Sequence, residues 1–152
     1  MPAVNILAYD RAMWILYAFL AAFFGGAVSV LAKVGLQKTD STLVTALRTV
    51  VVMLLTWFLV LIVGSADTIG QINQQNWFFL IASGLTTGLS WLCYFKALQL
   101  GQVHKVVPLD KLSAVLTMLL AVLLLGETFT LVVATAIPLL LIGTLLMTHT
   151  AR

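Results

Sequence analysis

The chain is 152 residues long, 62% hydrophobic and only 9% charged, with a formal net charge of +3. Soluble domains carry about 25% charged residues, so this deficit places the protein in the membrane class before any motif is read. The basic residues are dispersed between long apolar runs, which excludes a nucleic-acid footprint, and Cys93 stands alone in an apolar run where it forms no disulfide within the chain.

Residues 1–12 read as a short N-terminal tail. They carry no basic n-region, and the apolar run behind them exceeds a signal-peptide core, so the first span is expected to be retained. Span one runs over about residues 13–35, enough to cross a hydrocarbon layer of roughly 30 Å at 1.5 Å per residue. Trp14 and Tyr17 suit an interfacial belt. Ala18, Ala22 and Gly26 recur every four residues and make a small-residue face for helix packing, which Ser29 and Lys33 continue.

A turn at residues 36–42 follows, with Asp40 or Ser41 placed to cap the next helix. Span two, about 43–64, carries Arg48 in its first two turns. A guanidinium costs about 2.5–3.5 kcal/mol at mid-bilayer on insertion scales, so Arg48 needs water, a headgroup or a partner. The longest loop, residues 65–76, is polar with one acid and no base.

Span three, about 77–98, contains Gly84 and Gly88 at close-packing spacing, then Trp91, Tyr94, Phe95 and Lys96. Tyr94 and Lys96 lie about 200° apart on a helical wheel, so only one of them faces a common lumen. Span four, about 106–126, opens with Pro108 in its expected first turn and carries a small and polar stripe of Asp110, Ala114, Thr117 and Ala121. Span five, about 129–147, contains Pro138, an expected kink, and no charge; residues 149–152 form a C-terminal tail. The expected architecture is an all-α membrane protein, five transmembrane helices in one compact antiparallel bundle over residues 13–148.

Sorting the basic residues by membrane face places Arg11 on one side. Lys33, Lys38, Arg48, Lys96, Lys105, Lys111 and Arg152 fall on the other. The positive-inside rule makes that second side cytoplasmic, with the N-terminus outside and the C-terminus inside a cell membrane, plasma or inner. Two readings of the cations stay open. Either they only set orientation and snorkel, or Lys33, Arg48, Lys96 and Lys111, from four different spans, form a cationic vestibule for anionic or carboxylate-bearing solutes. Asp110 is the acid nearest that rim, and Trp91, Tyr94 and Thr117 form the candidate solute wall deeper in. The lack of carboxylates inside the other spans speaks against a small-cation exporter. His104 and His149 stand apart from each other, and no Ser–His–acid arrangement or metal cluster is present, so neither an enzyme nor a cofactor is expected.

Several elements together resemble the EamA-type domain of the drug/metabolite transporter superfamily. They are the Trp14 start, Ala32-Lys33-x-Gly35, Leu47-Arg48, Tyr94-Phe95-x-Ala97-Leu98 with Gly101, Val107-Pro108 through Leu125-Gly126-Glu127, and Ile142-Gly143. The resemblance covers about residues 13–148. It implies transport of small metabolites by alternating access, through a pathway lined mainly by the first four spans. Most relatives carry two such units in opposite orientation, so a dimer is expected, either a homodimer (inverted or parallel) or a pairing with a second five-span chain. The charge bias of seven against one sits uneasily with insertion both ways. The competing classes are a non-transporting scaffold or accessory subunit, and a flippase subunit for a lipid-linked anionic headgroup.

Overall fold

The computed structural model describes residues 3–126, 128 and 130–149, with side chains from Met13 onward. Every regular element among them is helical. In chain order they are α1 (Ala3–Gly35), α2 (Ser41–Val63), a 3-10 helix (Ser65–Gln71), α3 (Gln74–Leu100), α4 (Val103–Asp110), α5 (Leu112–Leu125) and α6 (Leu131–His149). Five spans are long and apolar enough to cross a membrane: Met13–Gly35, Ser41–Val63, Gln74–Leu100, Val103–Leu125 and Leu131–His149. The protein is a multi-pass membrane protein with the five expected spans.

The local chemistry accounts for where these helices begin and end. Asp40 caps α2: its Oδ1 accepts from the backbone N–H groups of Thr42 at 2.8 Å and Leu43 at 3.3 Å. These bonds favour the charged carboxylate and hold Asp40 below the ordinary value of 3.8, the Thr42 bond contributing most. Helices α2 and α5 each stop at a glycine in the left-handed region, Gly64 at φ 73° and Gly126 at φ 67°, a backbone that other residues adopt only with strain.

The first and fourth spans differ from the sequence reading in ways that matter for the site. Helix α1 begins at Ala3, so residues 3–12 of the expected tail extend the first helix, while residues 1 and 2 lie outside the described residues. The fourth span starts at Val103, which moves Pro108 from a first-turn position into the helix interior. Pro108 has no N–H for the carbonyl four residues back, and its ring crowds that turn. The span divides just beyond it. Lys111 donates its N–H to the carbonyls of Val107 (3.3 Å) and Pro108 (3.1 Å), a tightening toward 3-10 geometry that separates α4 from α5. Helix α6, by contrast, runs continuously through Pro138.

The main core cluster lies at one end of the bundle, and Val115 on α5 is the other buried apolar residue among the described side chains. Ala32, Leu36, Phe95 and Leu98 are buried at that end, with Val44, Trp91, Tyr94, Val103 and Val106 packed against them. Helix α3 packs on α1, α2 and α4, while α6 packs on α4 and α5. At the other end the helices present apolar side chains outward, such as Phe23, Phe58 and Leu123. In a soluble protein this would be an aggregation hazard; in a bilayer it is a lipid- or helix-facing surface.

Candidate functional site

The packed end brings together residues more than sixty positions apart. Ser29, 5% exposed on α1, hydrogen-bonds through its Oγ to the Tyr94 hydroxyl of α3 at 2.7 Å. One turn further along α1, Lys33 Nζ donates to the carbonyls of Leu98 and Gly101, the latter at 2.7 Å. The last carbonyls of a helix lack intrahelical partners, and a cation there also opposes the negative end of the helix dipole. Lys33 therefore serves as a C-terminal cap for α3. Beside it, Gln99 Nε2 donates to the Thr39 carbonyl at 2.9 Å and binds the end of α3 to the α1–α2 turn.

Beneath this closure lies a cavity of about 550 Å³. Its wall comprises Gly25, Val28 and Ser29 from α1, Arg48 and Val52 from α2, Ser90, Trp91, Tyr94 and Phe95 from α3, and Asp110, Lys111 and Ser113 at the α4–α5 break. Arg48 dominates it. Its guanidinium lies 4.2 Å from the Phe95 ring centroid and 5.8 Å from that of Trp91. Ring faces attract a cation and fix the plane of the fork. Arg48 Nη1 is buried and has no hydrogen-bond partner. A buried, charged donor left unpaired is costly, and a carboxylate or phosphate oxygen is the partner a guanidinium fits best.

Across the cavity, Asp110 Oδ2 stands 3.6 Å from Lys111 Nζ, the one side-chain ion pair among the described residues. The interrupted helix delivers both groups to the cavity, because the break falls between them and the start of α5.

Of the residues expected to bind a solute, Arg48, Trp91, Tyr94, Asp110 and Lys111 line this one cavity. Three lie elsewhere. Lys33 is engaged by the α3 carbonyls. Lys96 is exposed and donates to Gln99 Oε1 at 3.0 Å, on the opposite side of α3 from Tyr94, as the wheel angle required. Thr117 is exposed, with its hydroxyl turned back to the Ser113 carbonyl at 2.9 Å. The four-cation vestibule is thus reduced to two cations, Arg48 and Lys111. The sequence reading underused Ser29 and Phe95. Ser29 sits on the small-residue face of α1, three positions after Gly26, and that face carries the signal which could have found it.

The small residues read as packing faces stand apart from the site. Ala18, Ala22, Gly26 and Gly84 are exposed, Gly88 is half-buried, and a methyl group added at Gly26, Gly84 or Gly88 would meet no atom within 4 Å.

No solved structure matches the chain. A protein of Sinorhizobium sp. described as an uncharacterized transporter in the cobO 3' region is 40% identical over 134 residues, covering 88% of this chain and 95% of that protein. The profile of the EamA-like transporter family matches residues 12–149, which span all five membrane-crossing helices and every residue of the cavity. The chain belongs to the EamA-like transporter family, within the drug/metabolite transporter superfamily.

Proposed function

We propose that the protein moves small anionic or carboxylate-bearing metabolites, working as a dimer of five-span units by alternating access. The observation that carries this reading is Arg48 Nη1, a buried guanidinium nitrogen without a partner in a cavity walled by aromatic rings and hydroxyls. A carboxylate seated there would satisfy it, while Ser29, Tyr94 and Ser90 offer hydroxyls to the rest of the solute. The apolar, unpacked end of the bundle supports assembly with a second five-span unit, whose helices would complete the pathway wall.

The test is uptake into proteoliposomes of labelled carboxylates set against a quaternary ammonium cation. The carboxylates are expected to enter, and Arg48→Gln to abolish their uptake with assembly intact. Uptake untouched by the substitution, or a preference for the cation, overturns the reading and favours a scaffold or accessory subunit.

One observation favours a second reading, a flippase subunit for a lipid-linked anionic headgroup. An apolar cleft between α1, α4 and α6, lined by Gly26, Val30, Val103, Val107 and Met147, shares the wall residue Ser29 with the central cavity. A headgroup could sit on Arg48 while its tail leaves through this cleft. Substituting Val107→Trp would then block a lipid-linked substrate and spare a water-soluble one.

A further inference from the structure

The charges around the cavity do not add up to a general anion trap. Lys33 is spent on the carbonyls of Leu98 and Gly101. Lys96 faces away toward Gln99. That leaves Arg48 and Lys111 as cations and Asp110 as the acid, a sum of +1 among the described residues lining the cavity. The three groups are also not equivalent. Lys111 already has a carboxylate 3.6 Å away, whereas the unpaired Nη1 belongs to Arg48. A second negative charge on the solute would find Lys111 compensated and would face the Asp110 carboxylate, a repulsion that solvent at this half-open part of the wall weakens without cancelling.

We propose that the cavity is a monoanion site, taking a solute with one carboxylate or equivalent single charge, and that Asp110 is its charge-selectivity residue. Arg48 anchors the single anionic group against Phe95 and Trp91. Asp110 masks Lys111 and rejects a second charge. The loaded cavity then carries no net charge, so a conformational change that carries the solute across the bilayer moves no uncompensated charge through the hydrocarbon. This inference rests on the anionic reading of the site given above.

The experiment uses three probes on one ring: benzoate with one carboxylate, isophthalate with two, and neutral benzamide. Ligand-induced thermal stabilisation of the purified protein, titrated near neutral pH, gives the affinity of each. The native protein is expected to bind benzoate at least about tenfold more tightly than isophthalate, a modest demand on one like-charge contact in a partly buried site, and benzamide only weakly. Asp110→Asn unmasks Lys111 and is expected to shift the ratio toward isophthalate by a similar factor. Lys111→Gln provides a second readout if the first variant folds poorly: it leaves Asp110 unmasked and is expected to weaken isophthalate more than benzoate. Equal affinities for the two acids in the native protein, or a ratio unmoved by both variants, overturn the selectivity inference alone. Failure of both acids to stabilise the native protein beyond benzamide overturns the inference together with the anionic reading beneath it.

Discussion

The two ends of the bundle are built on different principles. At the end that carries the lysines, side chains from one helix bind the backbone of another: Lys33 and Gln99 tie α1, the α1–α2 turn and the end of α3 together. Phe95 and Leu98, 1% and 0% exposed, fill the space beneath. At the opposite end no residue of α1 before Ser29 and no residue of α3 before Phe95 is buried among the described side chains. The difference teaches where the chain closes on itself and where it leaves apolar surface uncovered. At the lysine end the last carbonyls of α3 are satisfied by a side chain from another helix, so the satisfaction of the backbone also ties helices together. At the apolar end α2 and α5 close on the amides of Gly64 and Gly126, within their own chain segment, and lipid or another helix can cover the side chains there. The cavity lies on the border between them, closed above by the polar ties and open below.

The sharpest way to break this contrast is to remove the tie itself. Lys33→Met keeps much of the apolar stem and deletes both bonds to the α3 carbonyls. Bonds from a charged donor are worth about 1.5–3 kcal/mol each, so a loss of about 3 kcal/mol is expected. It would read as a clear fall in the thermal midpoint of the purified protein. An unchanged midpoint would mean that the closed end is held by packing alone.

Gly101→Ala strikes the same turn sterically. A methyl there would lie 2.9 Å from Val106 Cγ2 and 3.1 Å from the Ala97 carbonyl oxygen, closer than packed atoms tolerate. Because α4 starts only two residues later, the strain passes into the helix that delivers Asp110 and Lys111 to the cavity. A destabilisation of about 1–3 kcal/mol is expected, accompanied by weaker solute binding, with the thermal midpoint and the benzoate titration as its measures. At the open end the equivalent test has the opposite expectation. A methyl group at Gly88 meets no atom within 4 Å, so Gly88→Ala is expected to leave the midpoint unchanged and to act only on the proposed assembly, read by light scattering or crosslinking in detergent.

The number of spans and their rough extents were legible because hydrophobicity over some twenty residues is a strong signal, and every expected span has its helix. The interruption of the fourth span was not. Pro108 was visible, but its consequence depended on whether the helix began at Val106 or Val103, and helix starts are the least determined feature of a sequence when Gln102 offers no side-chain cap. Within the site, the aromatic pair and the charges at 110 and 111 were legible from type and position. Lys33 was not: a lysine near a helix end reads the same whether it snorkels, faces a solute or caps a neighbouring helix, and only the three-dimensional approach of α3 separates these roles. Arg48 illustrates the converse. Its need for a partner could be read from the sequence, and the fold supplies rings beneath it but no acceptor for Nη1.

The smallest effect concerns the polar rim above the closed end, where Asp40 caps α2 at the surface. Its carboxylate accepts the Thr42 and Leu43 amides, which lowers its pKa in the folded protein below the ordinary 3.8. A depressed folded-state value means that the unfolded chain takes up the proton first as acid is added. The cap's contribution is therefore complete above about pH 4, declines once the unfolded carboxylate protonates, and is gone when the pH falls through the folded-state value. Asp40→Asn offers the same acceptor geometry without a titrating group. The difference in thermal midpoint between native protein and variant is expected to be flat above pH 4 and to turn against the native protein below it. Because every other acid is common to both proteins, a difference that stays flat into the acid range would show that the amides of Thr42 and Leu43 do not hold this carboxylate in its charged form.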